Sequence, residues 1–300
     1  MRSDTFLFGD NRGQRTINPN MRGDCSLPPI FGGVQSMQDG VLNHLAMRGI
    51  YRLIVALCLV LASACALAVE PVERCAAPAP GADLSDCDLS GRSLAGQDLA
   101  NSVLRNAKLE NADLRRARLD GADLRGANLK WAKLNGASLR NADLRGADLF
   151  HADCDESDLS KARLNKANLF GTNLNAVRAV GADFSGAYLK DVLMEGIDLS
   201  DGSIAGSYML RGVIAGGRFV RADLSGVDLT GAAAEEADFS GANLSGARLA
   251  GASFDAAVFR SANLQDADFT NARIEGAVFD GAQNMPPSLL ELVSRNFGFK

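Results

Sequence analysis

The residues of this 300-residue chain best suited to chemistry are few: two histidines, His44 and His151, and six cysteines, Cys25, Cys58, Cys65, Cys75, Cys87 and Cys154. Two histidines exclude an all-histidine metal site within one chain and leave Ser–His–Asp catalysis short of candidates. The cysteines and acids show no metal-ligand spacing. Carboxylates are plentiful, at 36 Asp plus Glu. Carboxylate pairs of the kind acid–base catalysis uses recur along the whole chain and converge nowhere. No phosphate-cradling P-loop, no nucleophile with a credible base and no basic patch interleaved with aromatics is present. A formal net charge of −5 gives no general reason to expect direct nucleic-acid binding. The expectation is a protein that is not an enzyme, with no cofactor and no metal, whose chemistry lies on its surface.

The elements that position that surface repeat every five residues. From Leu84 to Phe279 every fifth residue is apolar, forty positions in all, of which 25 are Leu and 7 are Phe. The other eight are Cys154, Ala179, Met194, Ile204, Met209, Ile214, Ala234 and Ile274. Two residues before each centre the chain is Ala in 26 cases. The residue between is Asp or Asn in 20, and the residue two after is Gly or Asn in 24. A period of five fits neither the 3.6 of a helix nor the 2 of a free strand. It requires a fold in which five residues make one side and one corner. Ala and Leu, two apart, point inward from an extended segment, and Gly or Asn supplies the turn. Successive coils then stack as parallel strands and bury every Leu.

Runs such as Ala122-Asp123-Leu124-Arg125-Gly126 and Ala142-Asp143-Leu144-Arg145-Gly146 resemble the A-(D/N)-L-x-G pattern of the pentapeptide-repeat family. The resemblance covers about two thirds of the chain. It implies an all-β fold, a right-handed quadrilateral parallel β-helix with four pentapeptides per coil and about ten coils over residues 82–282, roughly 48 Å long at the ~4.8 Å strand spacing. In residues 189–219 the Ala position is taken by Val192, Ile197, Gly202, Ser207, Gly212 and Gly217, which should swell and pinch the coil locally.

With twenty residues per coil, outward side chains sort by face. Asp83, Asp123, Asp143, Asp183 and Asp223 share one face with Arg105, Arg125 and Arg145, an arrangement expected to interleave opposite charges. An acidic stripe runs through Asp155, Glu195, Glu235, Asp255 and Glu275, with Glu156 and Glu236 beside it and Arg273 opposing. Residues 183–282 hold 15 acids and 7 bases, against 10 acids and 13 bases in 101–170. A third group gathers Phe150, Phe170, Tyr188, Tyr208 and Leu210 on one side, with Trp131 and His151 at the adjoining corner. Clustered outward aromatics suit a contact surface, and aromatic ladders also stabilise β-stacks without any ligand.

The ends of such a stack expose an apolar cross-section and need covers. Pro286-Pro287-Ser288 precedes Leu289, Leu290, Leu292 and Val293 at helical spacing. A short amphipathic helix within 283–300 is expected, either plugging the last coil or forming a homodimer contact. At the other end, residues 69–81 form an N-terminal cap, and Cys75 and Cys87 are expected to form a disulfide. Cys154 falls on a core position and reads as a buried thiol.

Residues 1–46 lack periodicity and read either as sequence upstream of a true start at Met47 or as a disordered leader. Residues 47–68 carry Arg48 and Arg52, then an apolar run from Leu53, then Ala66-Leu67-Ala68, which is the pattern of a secretory signal peptide. Two other readings of that segment stay open: an uncleaved signal anchor, and a lipoprotein joined to the membrane through Cys65 of Ala62-Ser63-Ala64-Cys65. The first expectation is therefore an exported, periplasmic or secreted scaffold that binds an unknown protein partner through its aromatic face. The alternative, which the family resemblance implies, is a cytoplasmic DNA mimic that binds a type II topoisomerase through the acidic stripe.

Overall fold

The chain is described by a computed structural model over residues 74–297. The leader, the signal segment and the first part of the N-terminal cap lie outside the described residues.

Parallel β-bridges join every fifth residue, the one between the Ala and Leu positions, to the one twenty positions on, from Asp83↔Val103 to Asn263↔Gln283, without a missed step. Every fifth residue from Gly81 to Gly281 has φ between +51° and +69°, so each coil has four corners and four sides. Among the described residues the β structure consists of isolated bridges and no extended strand. The reason is geometric: a five-residue unit gives two residues to its corner, leaving one outward residue per side to face its equivalents above and below.

The backbone bonds explain the repeat residue by residue. In the unit around Leu84, the Leu84 N–H donates to Val103 O at 2.7 Å and the Asp86 N–H to Arg105 O at 2.8 Å. The Cys87 N–H closes the corner on Leu84 O at 3.2 Å, and the Val103 N–H reaches back to Ala82 O at 2.9 Å. One N–H per unit is left, that of the residue after the core position. The Ser85 N–H donates to Asp83 Oδ1 at 3.0 Å. All twenty Asp and Asn residues at the Asp83-equivalent position accept in this way. The recurrent acid is thus a backbone acceptor, contributing roughly 0.5–1.5 kcal/mol per site. Carboxylates so used are not reserves for acid–base chemistry.

Inside, the Leu and Phe centres and the Ala positions form one continuous core. Phe219, Phe239, Phe259 and Phe279 stack along it with centroids 5.0–5.2 Å apart. Residues 189–219 neither swell nor pinch enough to interrupt the bridges. Large and small residues compensate there: the space a Cβ would need at Gly217 is filled by Phe219 and by Ile197 one coil below, and Leu199 fills that at Gly202. Close packing leaves no slack, so a bulky residue demands a small neighbour. Cys154 is fully buried, and burial pushes its thiol pKa well above the ordinary value.

Cys75 and Cys87 are disulfide-bonded, with Cα atoms 5.6 Å apart. Arg92 Nη1 donates to Cys75 O and Arg74 Nη2 to Ser85 O, each at 2.6 Å, tying this segment to the first coil. At the other end helix α1 spans Pro287–Phe297. Pro287 fits the first helical position because that N–H has no intrahelical acceptor. Leu289 enters the core, Leu292 and Val293 pack against it, and Leu290 stays 51% exposed. The Ser288 hydroxyl accepts the Phe269 N–H at 3.4 Å, a group the coil has no further turn to satisfy.

Candidate protein-contact surface

The aromatic residues predicted to share a side are brought together. Phe150 and Phe170 stack with centroids 5.4 Å apart and planes within 10°. Phe170 continues to Tyr188 at 6.1 Å and Tyr188 to Tyr208 at 5.4 Å. At the adjoining corner Trp131 lies on His151 at 4.5 Å and 8°. Both meet Phe150 edge-on, at 5.5 and 4.4 Å. Trp131, Tyr188 and Tyr208 are 48%, 41% and 37% exposed, whereas Phe150, His151, Phe170 and Leu210 are half-buried. Neither Tyr hydroxyl has a protein partner among the described hydrogen bonds.

This face is assembled against local preference. Trp131 and His151 occupy corner positions at φ 58° and 51°, a region that bulky L-residues enter at a cost of roughly 1–2 kcal/mol. The next corner is Gly171, where a Cβ would sit 2.5 Å from His151 Cε1, so glycine there is what lets the imidazole lie flat under Trp131. Tyr188 and Tyr208 stand at the position that holds Asp or Asn in 20 of the forty units, and the N–H groups of Lys190 and Leu210 have no acceptor among the described residues.

The sequence did not single out Lys190, Leu193 or Gly171. Lys190 Nζ lies 5.9 Å from the Phe170 ring centre, within cation–π range. Leu193, 40% exposed, extends the apolar surface around the corner. Stacking at twenty-residue spacing was the signal for both, but neither Leu nor Lys is unusual enough to draw notice singly.

The acidic stripe is a weaker assembly. Asp255 is ion-paired with Arg273 and accepts the Glu275 N–H at 3.0 Å. Asn175 and Ala215 interrupt the column. Asp155 is thereby separated from Glu195, and Glu195 from Glu235, by two coil rises, roughly 10 Å and about one Debye length in physiological salt. The Asp/Arg face is neutralised: Arg105 and Arg125 both hold Asp123, at 2.5 and 2.8 Å, and Arg145 holds Asp143 at 2.6 Å. These guanidiniums keep both carboxyls below the usual carboxylate range. On the neighbouring side Arg140 draws Asp120 down to about 2. Among the described residues, no group of three His, Cys, Asp or Glu is placed to hold a metal ion, and no helix is long and apolar enough to cross a membrane.

A twenty-residue, four-cornered coil of five-residue units defines a class, the solenoids built from pentapeptides. The profile of the pentapeptide-repeat family matches in eight copies, over residues 82–121, 127–165, 137–175, 167–202, 218–255, 237–276 and 252–283. The chain belongs to the pentapeptide-repeat family, which implies the right-handed quadrilateral β-helix. The profile passes over residues 203–217, inside the stretch where the Ala position departs from the pattern. Among solved structures the chain is similar to HetL, a pentapeptide repeat protein involved in heterocyst differentiation regulation from the cyanobacterium Nostoc sp. strain PCC 7120. The identity is 33%, over 70% of this chain and 91% of that one, with a TM-score of 0.38. It is also similar to QnrB1, a plasmid-mediated fluoroquinolone resistance protein, at 18% identity over 71% of this chain and 93% of that one, with a TM-score of 0.32. No curated protein matches the sequence.

Proposed function

We propose that this protein is an exported, non-enzymatic scaffold, a β-helix of about ten coils that holds its aromatic face rigid for contact with a protein partner. The observation that carries the reading is the ladder Phe150–Phe170–Tyr188–Tyr208, joined to the Trp131–His151 stack and exposed along one side. Rigid aromatics lose little entropy on binding and concentrate contact energy. The broken, partly neutralised acidic stripe lends less support to a topoisomerase contact.

Export is supported by the signal pattern of residues 47–68 and by the Cys75–Cys87 disulfide, a bond that persists in oxidising compartments. Intact mass and N-terminal sequencing after cell fractionation test it. A periplasmic chain starting at Val69 with the bond intact is expected, and a soluble cytoplasmic chain retaining 47–68 would refute export. For the contact face, Phe150→Ser, Phe170→Ser and Tyr188→Ser together should leave the fold intact by circular dichroism and remove partner capture. Unchanged capture would sink the assignment of this face.

A further inference from the structure

The contact reading can be sharpened to a class of partner, which rests on the aromatic face being the binding site. The rings stack along the coil axis, so their faces are turned to one another and their edges point outward. Ring edges carry the positive end of the aromatic quadrupole. The charges around the ladder are largely paired off. Lys130 pairs with Asp148 at 3.1 Å, Arg211 with Asp191 at 2.7 Å and Arg248 with Asp228 at 3.6 Å. Lys190 has no carboxylate within ion-pair distance among the described residues, and it lies over Phe170 in the middle of the ladder. The face therefore offers apolar surface, positive ring edges and one uncommitted cation.

Size limits the occupant. From the coil of Trp131 to that of Tyr208 there are four coil rises, roughly 19 Å, and one side is roughly 12 Å wide. The area is on the order of 200 Å², against about 800 Å² per partner for a stable protein–protein interface. A second copy docking face to face would bury too little. A single extended segment at ~3.3 Å per residue would cover the ladder with about six residues.

We infer that the aromatic side binds an extended, acidic-apolar peptide segment of another protein, with one carboxylate of that segment meeting Lys190. The apolar residues of the segment pack on the edges of Phe150, Phe170 and Tyr188, and the Tyr188 and Tyr208 hydroxyls are free to bond its backbone.

The test is selection of random phage-displayed peptides of about twelve residues, twice the length the ladder accommodates, on the intact protein. Counter-selection uses Lys190→Glu and, separately, the Phe150→Ser, Phe170→Ser, Tyr188→Ser variant. Expected are peptides with an acid among apolar residues, lost on the triple variant and bound roughly 3- to 10-fold more weakly by Lys190→Glu, with the difference shrinking in high salt. Enriched peptides that lack acids, or that bind Lys190→Glu as well as the native protein, overturn the peptide class while leaving the aromatic face as the site. Peptides bound equally by the triple variant overturn the site itself. A concentration-dependent dimer abolished by the triple variant, with no peptide enriched, would replace the segment by a second copy.

Discussion

Two sides of the same solenoid use one backbone for opposite ends. On the side of Asp123 and Asp143, the carboxylates are spent internally. The carboxylates accept the N–H of Arg125 and Arg145, and the guanidiniums fold back on the same acids. On the side of Phe150, Phe170, Tyr188 and Tyr208, the outward groups satisfy one another by stacking, leaving among the described residues two Tyr hydroxyls without hydrogen-bond partners and the Lys190 ammonium without a carboxylate. Spacing and bridge pattern are the same on both. The difference lies wholly in the residue between Ala and Leu and the one after Leu. The teaching is that the repeat makes the scaffold at its inward and corner positions, and the two outward positions are free to carry either stability or contact.

The largest break in this comparison should come at Gly171. Gly171→Ala places a Cβ at φ +61° against the His151 imidazole. It should lose about 2 kcal/mol in chemical denaturation and shift Trp131 fluorescence as the stack parts. Combining it with His151→Ser should recover about half of that loss, since the clash goes and the backbone strain stays.

Next in size is Asp123→Ala. It leaves the Arg125 N–H without its acceptor and removes the group that holds both Arg105 and Arg125, so a loss of about 1–2 kcal/mol is expected by the same measurement.

Acid titration tests the charged side as a whole. Hydrogen bonds from Arg140, Arg125 and Arg145 hold the Asp120, Asp123 and Asp143 carboxyls below the ordinary carboxylate range, Asp120 at about 2. Their folded-state pKa values are depressed, so their stabilisation is fully present above the unfolded pKa and is lost as pH falls. The Tm should be flat from neutral pH to about 5 and fall between about 4 and 2. Asp120→Asn should flatten that fall, and the triple aromatic variant should leave its shape unchanged.

The smallest effect on stability is the sharpest test of the difference. Tyr188→Asp restores the repeat's own residue and the acceptor for the Lys190 N–H, while losing stacking on Phe170 and Tyr208. Thermal melts should stay within about 1 kcal/mol of the native protein, while partner binding is lost.

Much of this was legible in the residues. The apolar centres from Leu84 to Phe279 identified the inward positions, and the twenty-residue coil that the family resemblance implies gathered the aromatic side. The apolar spacing after Pro287 placed α1. Three things were not legible, each because it depends on closed-coil geometry. The interleaved charges expected on the face of Asp123 and Asp143 are there, but the wider role of the Asp and Asn preference, to accept the one N–H the ladder leaves over, was not legible. In residues 189–219, where swelling and pinching are expected, the compensation was not legible because Ile197 and Gly217 are partners only once they are one coil apart. Lys190 and Gly171 gain their roles from Phe170 and His151, neighbours that no local window joins.

The central claim is that the aromatic side, and not its charged counterpart, meets the partner. Photoreactive benzoylphenylalanine at Tyr208, compared with the same residue at Ser225 on the Asp123 side, puts that claim to the most direct test in cells that make the protein. Irradiation should give one dominant crosslinked species from position 208 and none from 225. Crosslinks of equal yield from both positions, or from 225 alone, would contradict it.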